Sequence, residues 1–268
     1  MLMEKVVPLV NPAAPGSRPV PARSGCAGCR TDHPLEFDFE YAFQPIVNVR
    51  TRTVFAHEAL IRGPQGEPAE TVLSRVNDGN RYQFDQACRV KAVATAARLG
   101  MTSYLSINFL PNAVYRPEAC IQSTLKAAKE HSFPHEKIIF EVTESEKVFD
   151  KAHLLNIFRK YSDLGFKTAI DDFGAGYSGL GLLSDFQPSI LKLDMDLIRG
   201  IDRSPPRQAI VKGVLLTSRL IGTQVVAEGV ETPEERDYLR EIGVELMQGF
   251  LFCRPAFQGL GEIAADAW

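Results

Sequence analysis

No stretch of the 268-residue sequence approaches the ~20 consecutive apolar residues of a membrane span. The first segment, "MLMEKVVPLVNPAAPGSRPVPARSG", has no apolar core of the kind a secretory leader needs. With neither present, a cytoplasmic location is expected. A basic excess is also missing. Thirty Lys and Arg against 33 Asp and Glu leave a net charge of −3, which argues against a general binder of DNA or RNA polymers. Cysteine is scarce and odd in number, with five residues mostly scattered along the chain. That fits a reducing compartment better than a disulfide framework. What is present is an ordinary soluble composition, 45% hydrophobic and 24% charged, enough for one large core or two small ones.

Residues 1–35 are rich in Pro, Gly, Ala and Arg and show no periodicity, which predicts a flexible extension ahead of a domain over residues 36–268. From Phe37 onward the chain alternates. Short apolar runs occur at "YAFQPIVNV", "VFAHEAL", "YLSINFL", "KIIFEVTE", "FKTAIDD", "ILKLDMD", "TQVVAEGV" and "LMQGFLF". Most are separated by segments with helical spacing. In "AHLLNIFRKYSDLG" the residues Leu154, Leu155, Phe158, Tyr161 and Leu164 make one apolar face, and Gly165 stands where a C-terminal cap belongs. "QFDQACRVKAVATAARLG" and "RQAIVKGVLLTSRLIG" follow the same plan. Only the first two runs are joined by a hairpin-sized link. Eight strands with crossover helices suit an α/β fold, a closed (β/α)8 barrel of the TIM type with an antiparallel first strand. An open doubly wound sheet is the competing arrangement.

The polar residues favour the barrel. Glu58, Asn108, Glu141, the pair Asp171 and Asp172, Lys192 with Asp194, Glu228 and Gln248 each fall near the C-terminal end of an apolar run. A parallel barrel gathers such ends on one face, where active sites are built, whereas an open sheet would spread them along an edge. Ionised carboxylates cannot crowd a partly buried site without compensating positive charge, and one lysine with one arginine is too little. Bound divalent cations are the natural remedy. The candidate ligands Glu58, Asn108, Glu141, Asp171 and Asp172 are oxygen donors, and no His or Cys belongs to the set, so Mg²⁺ or Mn²⁺ is expected rather than Zn²⁺. Adjacent Asp171 and Asp172 could serve two metals that clamp the attacking and leaving oxygens of a phosphodiester. Ca²⁺ is expected to inhibit, its longer bonds misplacing the nucleophile. A single acid at a strand end is more often a helix cap or an ion-pair partner, the reading given to Asp38 and Asp202. Capping alone hardly explains a polar tip on strand after strand.

These residues also carry a family likeness. "HEALIRG", "QPIV", "INFLPN", "FEVTE", "IDDFGAGYSGL", "LKLD", "VVAEGVET" and "QGFLFCRP" each resemble a motif of the EAL domain, the cyclic di-GMP phosphodiesterase module, in order and over residues 37–257. "YQFDQACR", "LSINFLPNAVY" and "LKLDMDLIRGID" are similar in wording to EAL domains fused to blue-light flavin sensors, although no sensor domain is expected here. The resemblance implies hydrolysis of cyclic di-GMP to linear pGpG. It implies that Glu58, Asn108, Glu141 and Asp171 ligate one metal, that Asp171 bridges to a second beside Asp172 and Glu228, and that Lys192 orients or helps deprotonate the nucleophile. It also implies a phosphate contact from Arg62, polar contacts to the nucleotide or to a metal's water from Gln44 and Gln248, an anchor for the loop "DDFGAGYSG" in Glu144, and a supporting acid in Glu231. A homodimer is implied, and a regulatory partner protein is compatible with it. The chain departs from the pattern at Ala175, where Thr is usual, at Gly179, where Ser is frequent, and at His57, where Tyr is frequent. Strand alternation turns His57 away from the polar tips.

The same likeness leaves a binding module open, a receptor that senses cyclic di-GMP without cleaving it and signals by contact. Such a receptor would typically lack a ligand or the lysine, and Glu58, Asn108, Glu141, Asp171, Asp172, Lys192 and Glu228 are all present. An adaptor that binds no nucleotide is disfavoured by Arg62 and Gln248. In the extension, "CAGCRTDH" places Cys26, Cys29 and His33 where they could bind zinc, form a redox pair, or be free side chains of a tail. Cys88 and Cys120 are expected to be ordinary buried residues on helices.

Overall fold

The computed structural model describes residues 35–143, 150–176 and 179–268. The CxxC segment and Glu144 lie outside the described residues. The chain runs β1 (Glu40–Asn48), β2 (Thr53–Arg62), α1 (Glu70–Leu73), α2 (Arg81–Arg98), β3 (Tyr104–Asn108), α3 (Pro117–Cys120), α4 (Gln122–Glu130) and β4 (Ile138–Thr143). It continues through α5 (Lys151–Asp163), β5 (Lys167–Phe173), α6 (Gly179–Asp185), β6 (Ile190–Leu193), α7 (Met195–Ile198), α8 (Pro205–Ile221), β7 (Gln224–Ala227), α9 (Pro233–Glu241), β8 (Leu246–Met247) and β9 (Ala256–Phe257).

Strands β2 to β8 are parallel neighbours in chain order, and β1 closes the ring by pairing antiparallel to both β2 and β8. The expected barrel with an antiparallel first strand is therefore the observed one. Strand β9 is an addition that the sequence pattern did not suggest. Its two residues lie between Pro255 and Gly259 and pair with Ala42 and Phe43 of β1.

Why the ring closes follows from side-chain parity. Ile46, Ala56, Ile139, Ala169, Ile190, Val226 and Leu246 form one buried apolar cluster, with one residue from each of the eight barrel strands but β3, whose Tyr104 packs against it. These side chains fill the lower barrel. The residues of opposite parity, among them Leu105, Ile107, Phe140 and Val142, belong to a second cluster shared with α2, α4 and α5. A third cluster packs β5 to β7 against α8 and α9. Each parallel strand therefore buries both faces, as a barrel wrapped by helices requires. The face predicted for α5 is adjusted. Leu154, Phe158 and Tyr161 are buried, but Ile157 joins them and Leu164 lies exposed at the helix end. There the chain turns at Gly165 with φ of 88°, a left-handed conformation that favours glycine. Among the described residues no helix is long and apolar enough to cross a membrane.

The floor of the barrel should be sensitive to volume. Ile139→Ala removes a fully buried side chain directly beneath Glu141, and a loss of about 2–5 kcal/mol is expected in a denaturant titration. An unchanged midpoint would show that the floor is loosely packed.

Candidate active site at the carboxylate ring

Two residues further along each parallel strand, the inward positions turn polar. Ala56 is followed by Glu58, Tyr104 by Ser106, Ile139 by Glu141, Ala169 by Asp171, Ile190 by Lys192, Val226 by Glu228 and Leu246 by Gln248. On antiparallel β1 the step runs backwards, from Ile46 to Gln44, and Gln44 lies opposite Glu58 in the register. A period of two thus stacks a polar ring on an apolar floor.

Lys192 stands at its centre, fully buried. Its Nζ lies 2.7 Å from Glu228, 3.0 Å from Asp171, 3.1 Å from Glu141 and 3.3 Å from Glu58. Burial opposes the ammonium charge, but the four carboxylates outweigh it and hold its pKa well above that of an ordinary lysine. The acids respond in the other direction. Burial, with Glu58 and Asp171 adding to it, pushes Glu141 up to about 8 against the pull of Lys192. Burial and the neighbouring Asp171 raise Asp172 to about 6, and burial raises Glu228 well above the usual carboxylate range.

The remaining contacts orient these acids. Ser106 donates its hydroxyl to Glu141 Oε1. Asn108 Nδ2 donates to Glu58 Oε1 at 3.0 Å, and Gln248 Nε2 donates to Glu58 Oε2 at 2.9 Å and to Gln44 Oε1 at 3.2 Å. Gln44 in turn donates to the Cys253 carbonyl at 3.2 Å. Gln248 Oε1 is buried with no hydrogen-bond partner among the described residues. Such an acceptor is normally met by a water or ligand donor.

Adjacent Asp171 and Asp172 both line the same cleft, although neighbours on a regular strand face opposite ways. The backbone explains how. The β5–β6 pairing shifts register between Ile170 and Phe173, and Asp172 takes a left-handed φ of 54°. The irregularity puts Phe173 into the outer core and leaves Asp172 on the side of the ring. Aspartate tolerates that conformation better than most residues.

Carboxylate oxygens of Glu58, Glu141 and Asp171 lie within 4.8 Å of one another, as do those of Asp171, Asp172 and Glu228. Asp171 is common to both groups. Five carboxylates against one ammonium leave four negative charges if all are ionised, and two divalent cations would balance them. The shared Asp171, the up-shifted acids and the unpartnered Gln248 oxygen all fit hard cations held by oxygen.

Two clefts meet at this point. One, of about 250 Å³, is lined by Gln44, Glu58, Asp171, Asp172, Glu228 and Gln248, with Met195, Arg199 and Phe250 along its rim. The other, of about 300 Å³, is mostly apolar and carries Arg62 and Asn108. The Asn108–Glu58 hydrogen bond joins them. Arg62 is therefore not part of the ring, and its guanidinium donates to the Ile61 carbonyl at 2.7 Å. Glu231 also stays at the rim, paired with Arg199 at 2.8 Å. Asp194 caps α7 by accepting from Asp196 N at 2.8 Å. Asp38 pairs with Lys91 and Asp202 with Arg203. His57 faces away from the ring, its Nδ1 2.8 Å from Ser103 Oγ and its Nε2 3.1 Å from the Leu260 carbonyl oxygen. Cys88 and Cys120 are buried on helices. Ser106, Met195, Arg199 and Phe250 were not singled out in the sequence. Ser106 could have been, since it shares its parity with Asn108 on β3.

Comparison with known proteins agrees with this geometry. A family described as "EAL domain" matches residues 35–255. The chain is 34% identical over 226 residues to the blue light- and temperature-regulated antirepressor BluF of Escherichia coli, covering 84% of this chain and 56% of BluF. It is 31% identical over 180 residues to the cyclic di-GMP phosphodiesterase PdeR of the same organism, covering 67% of this chain and 26% of PdeR. The chain thus spans at most just over half the length of these curated relatives. A solved structure of a standalone versatile EAL protein from Vibrio cholerae, in its c-di-GMP bound form, superposes with a TM-score of 0.84 at 55% identity, over 87% of this chain and 98% of that one.

Protonated acids must release their protons before a cation can bind. With Glu141 near 8 and Asp172 near 6, cation affinity is expected to climb as pH rises through 6 to 8, by up to about tenfold per pH unit for each proton displaced. Calorimetric titration with Mn²⁺ in buffers of different ionisation enthalpy measures that release. A flat affinity between pH 6 and 8 would show that the ring is already fully ionised.

Proposed function

Since this chain belongs to the EAL domain family, we propose that it is a divalent-cation-dependent phosphodiesterase that opens cyclic di-GMP to linear pGpG. The observation that carries this reading is the intact ring, with Lys192 within 3.3 Å of four carboxylates at the junction of two clefts. Mg²⁺ or Mn²⁺, when bound, would neutralise the acids, polarise the phosphodiester and acidify an attacking water. Glu58, Asn108, Glu141 and Asp171 would hold one cation, and Asp171, Asp172 and Glu228 the other. Asn108 turns its amide nitrogen toward Glu58 here, so ligation through its oxygen needs a turn of the amide.

The chain's own side chains set the rest. Lys192 is fixed by its four partners and can donate to an attacking water from one defined direction. Glu228, partly exposed to the acidic cleft, is placed beside Lys192 to accept that water's proton once its own has been displaced. Glu58 shares its oxygens among Lys192, Asn108 and Gln248 and so ties the ligand set to the polar ring. Arg62 offers a cation for a substrate phosphate beside an apolar wall suited to a base. Gln44 and Gln248 offer polar contacts on the other side. The two clefts flanking the Asn108–Glu58 pair match a substrate with two nucleotide halves. We extend the reading to a homodimer acting in the cytoplasm. Leu180, 69% exposed on α6 just after the Asp172 loop, offers an apolar residue for contact with a second copy. Ca²⁺, with longer and looser coordination, is expected to inhibit.

The test is nucleotide chromatography after incubation with cyclic di-GMP and Mg²⁺ or Mn²⁺. Linear pGpG should form, and excess EDTA or Ca²⁺ should stop its formation. Glu58→Ala and Lys192→Ala should each lower turnover by about two orders of magnitude or more, with some nucleotide binding retained by Lys192→Ala. Binding of cyclic di-GMP without any cleavage would favour the receptor reading, and hydrolysis undiminished in EDTA would remove the cations from the mechanism.

A further inference from the structure

Behind the ring, outside the barrel wall, α2 carries an almost fully buried ion pair. Arg89 is fully buried and Asp85 nearly so. Arg89 Nη2 lies 2.7 Å from Asp85 Oδ2, and Arg89 Nη1 donates to the Tyr161 hydroxyl of α5 at 2.7 Å. The guanidinium also rests 5.1 Å from the Phe140 ring centroid, 5.4 Å from that of Phe109 and 5.7 Å from that of Tyr161. Burying a charge pair is costly, and apolar residues of similar volume would usually serve stability as well. A group retained at that cost suggests a task of placement.

The neighbours identify the task. Phe140 directly precedes Glu141, and Phe109 directly follows Asn108. By strand alternation the two rings face outward onto Arg89 while Glu141 and Asn108 turn toward the site. Asn108 and Glu141 are register partners across β3 and β4, and Phe109 N donates to the Glu141 carbonyl at 3.1 Å. Asp85 Oδ1 accepts from Leu110 N at 3.0 Å, holding the chain two residues beyond Asn108. The network therefore grips the backbone just before Glu141 and just after Asn108 without touching the carboxylate ring, and Asp85 also lines the apolar cleft.

We propose that Asp85, Arg89 and Tyr161 are positioning residues that fix Asn108 and Glu141 for cation binding from outside the barrel. This inference rests on the assignment of those two residues as ligands. The decisive variant is Asp85→Asn with Arg89→Met, which keeps an acceptor for Leu110 N and an unbranched filler while removing both charges. The melting temperature should stay within a few degrees. The Mn²⁺ dissociation constant, read by calorimetry without substrate, should rise about tenfold or more, as when the partners that orient metal ligands are removed. The Mn²⁺ concentration that half-activates hydrolysis should rise with it. Tyr161→Phe, which deletes one hydroxyl and retains the packing, should raise the Mn²⁺ dissociation constant at least threefold, and it serves if the double variant does not fold. A folded double variant, or Tyr161→Phe, with Mn²⁺ affinity within twofold of the unaltered protein would overturn the proposal. The Mn²⁺ readout is independent of turnover. An unaltered protein that takes up Mn²⁺ and leaves cyclic di-GMP intact would sink the phosphodiesterase reading alone.

Discussion

The contact on which the site depends is that of one ammonium with four carboxylates. Lys192 cannot be buried at the barrel axis without partners, and Glu58, Glu141, Asp171 and Glu228 cannot converge there without a cation. Each makes the other tolerable, and the balance is incomplete. With Asp172 included, the acids outnumber the lysine by four charges. Burial, with the excess of like charge adding to it, raises the proton affinity of Glu141, Asp172 and Glu228. A ring in that state has two ways to settle. It can hold protons, or it can hold divalent cations. On the proposed function, its competence for chemistry would follow from the second choice.

The barrel is what allows this charge to be concentrated. A sheet closed on itself brings inward positions from eight strands to one axis, and the apolar layer below excludes water from the floor. Backbone bonds between neighbouring strand ends keep the tips level, as Gln248 N to the Ala227 carbonyl at 2.8 Å and Glu228 N to the Leu193 carbonyl at 3.1 Å show. The glycine after Gln248 belongs to the same construction, since a Cβ at Gly249 would run into the Val230 carbonyl oxygen. The substrate side of the ring is asymmetric, with an acidic cleft on one flank and an apolar cleft bearing Arg62 on the other.

Much of this was legible in the sequence because period-two alternation makes strands visible. Glu58, Glu141, Asp171, Lys192, Glu228 and Gln248 could be grouped once each was seen to end an apolar run. Other features were not legible. Asp172 could be grouped with the ligands by its place beside Asp171, but the register shift and left-handed backbone that turn it toward the site leave no mark in residue spacing. Ser106 shares its parity with Asn108, but its bond to Glu141 shows only once β3 is placed beside β4. Nothing in the spacing of Asp85 and Arg89 marks them out, and only packing shows them buried beneath Phe109 and Phe140. Strand β9 is too short for any periodicity. Glu231 and Arg62 were carried by motif alone, and the structure puts both beside the ring.

The claim that the ring is a two-cation site is tested most directly by anomalous diffraction from crystals of the protein grown with Mn²⁺. The account predicts two peaks about 3.5–4 Å apart, one among Glu58, Asn108, Glu141 and Asp171, the other between Asp171, Asp172 and Glu228. A protein that cleaves cyclic di-GMP while its ring shows no Mn²⁺ peak would contradict it.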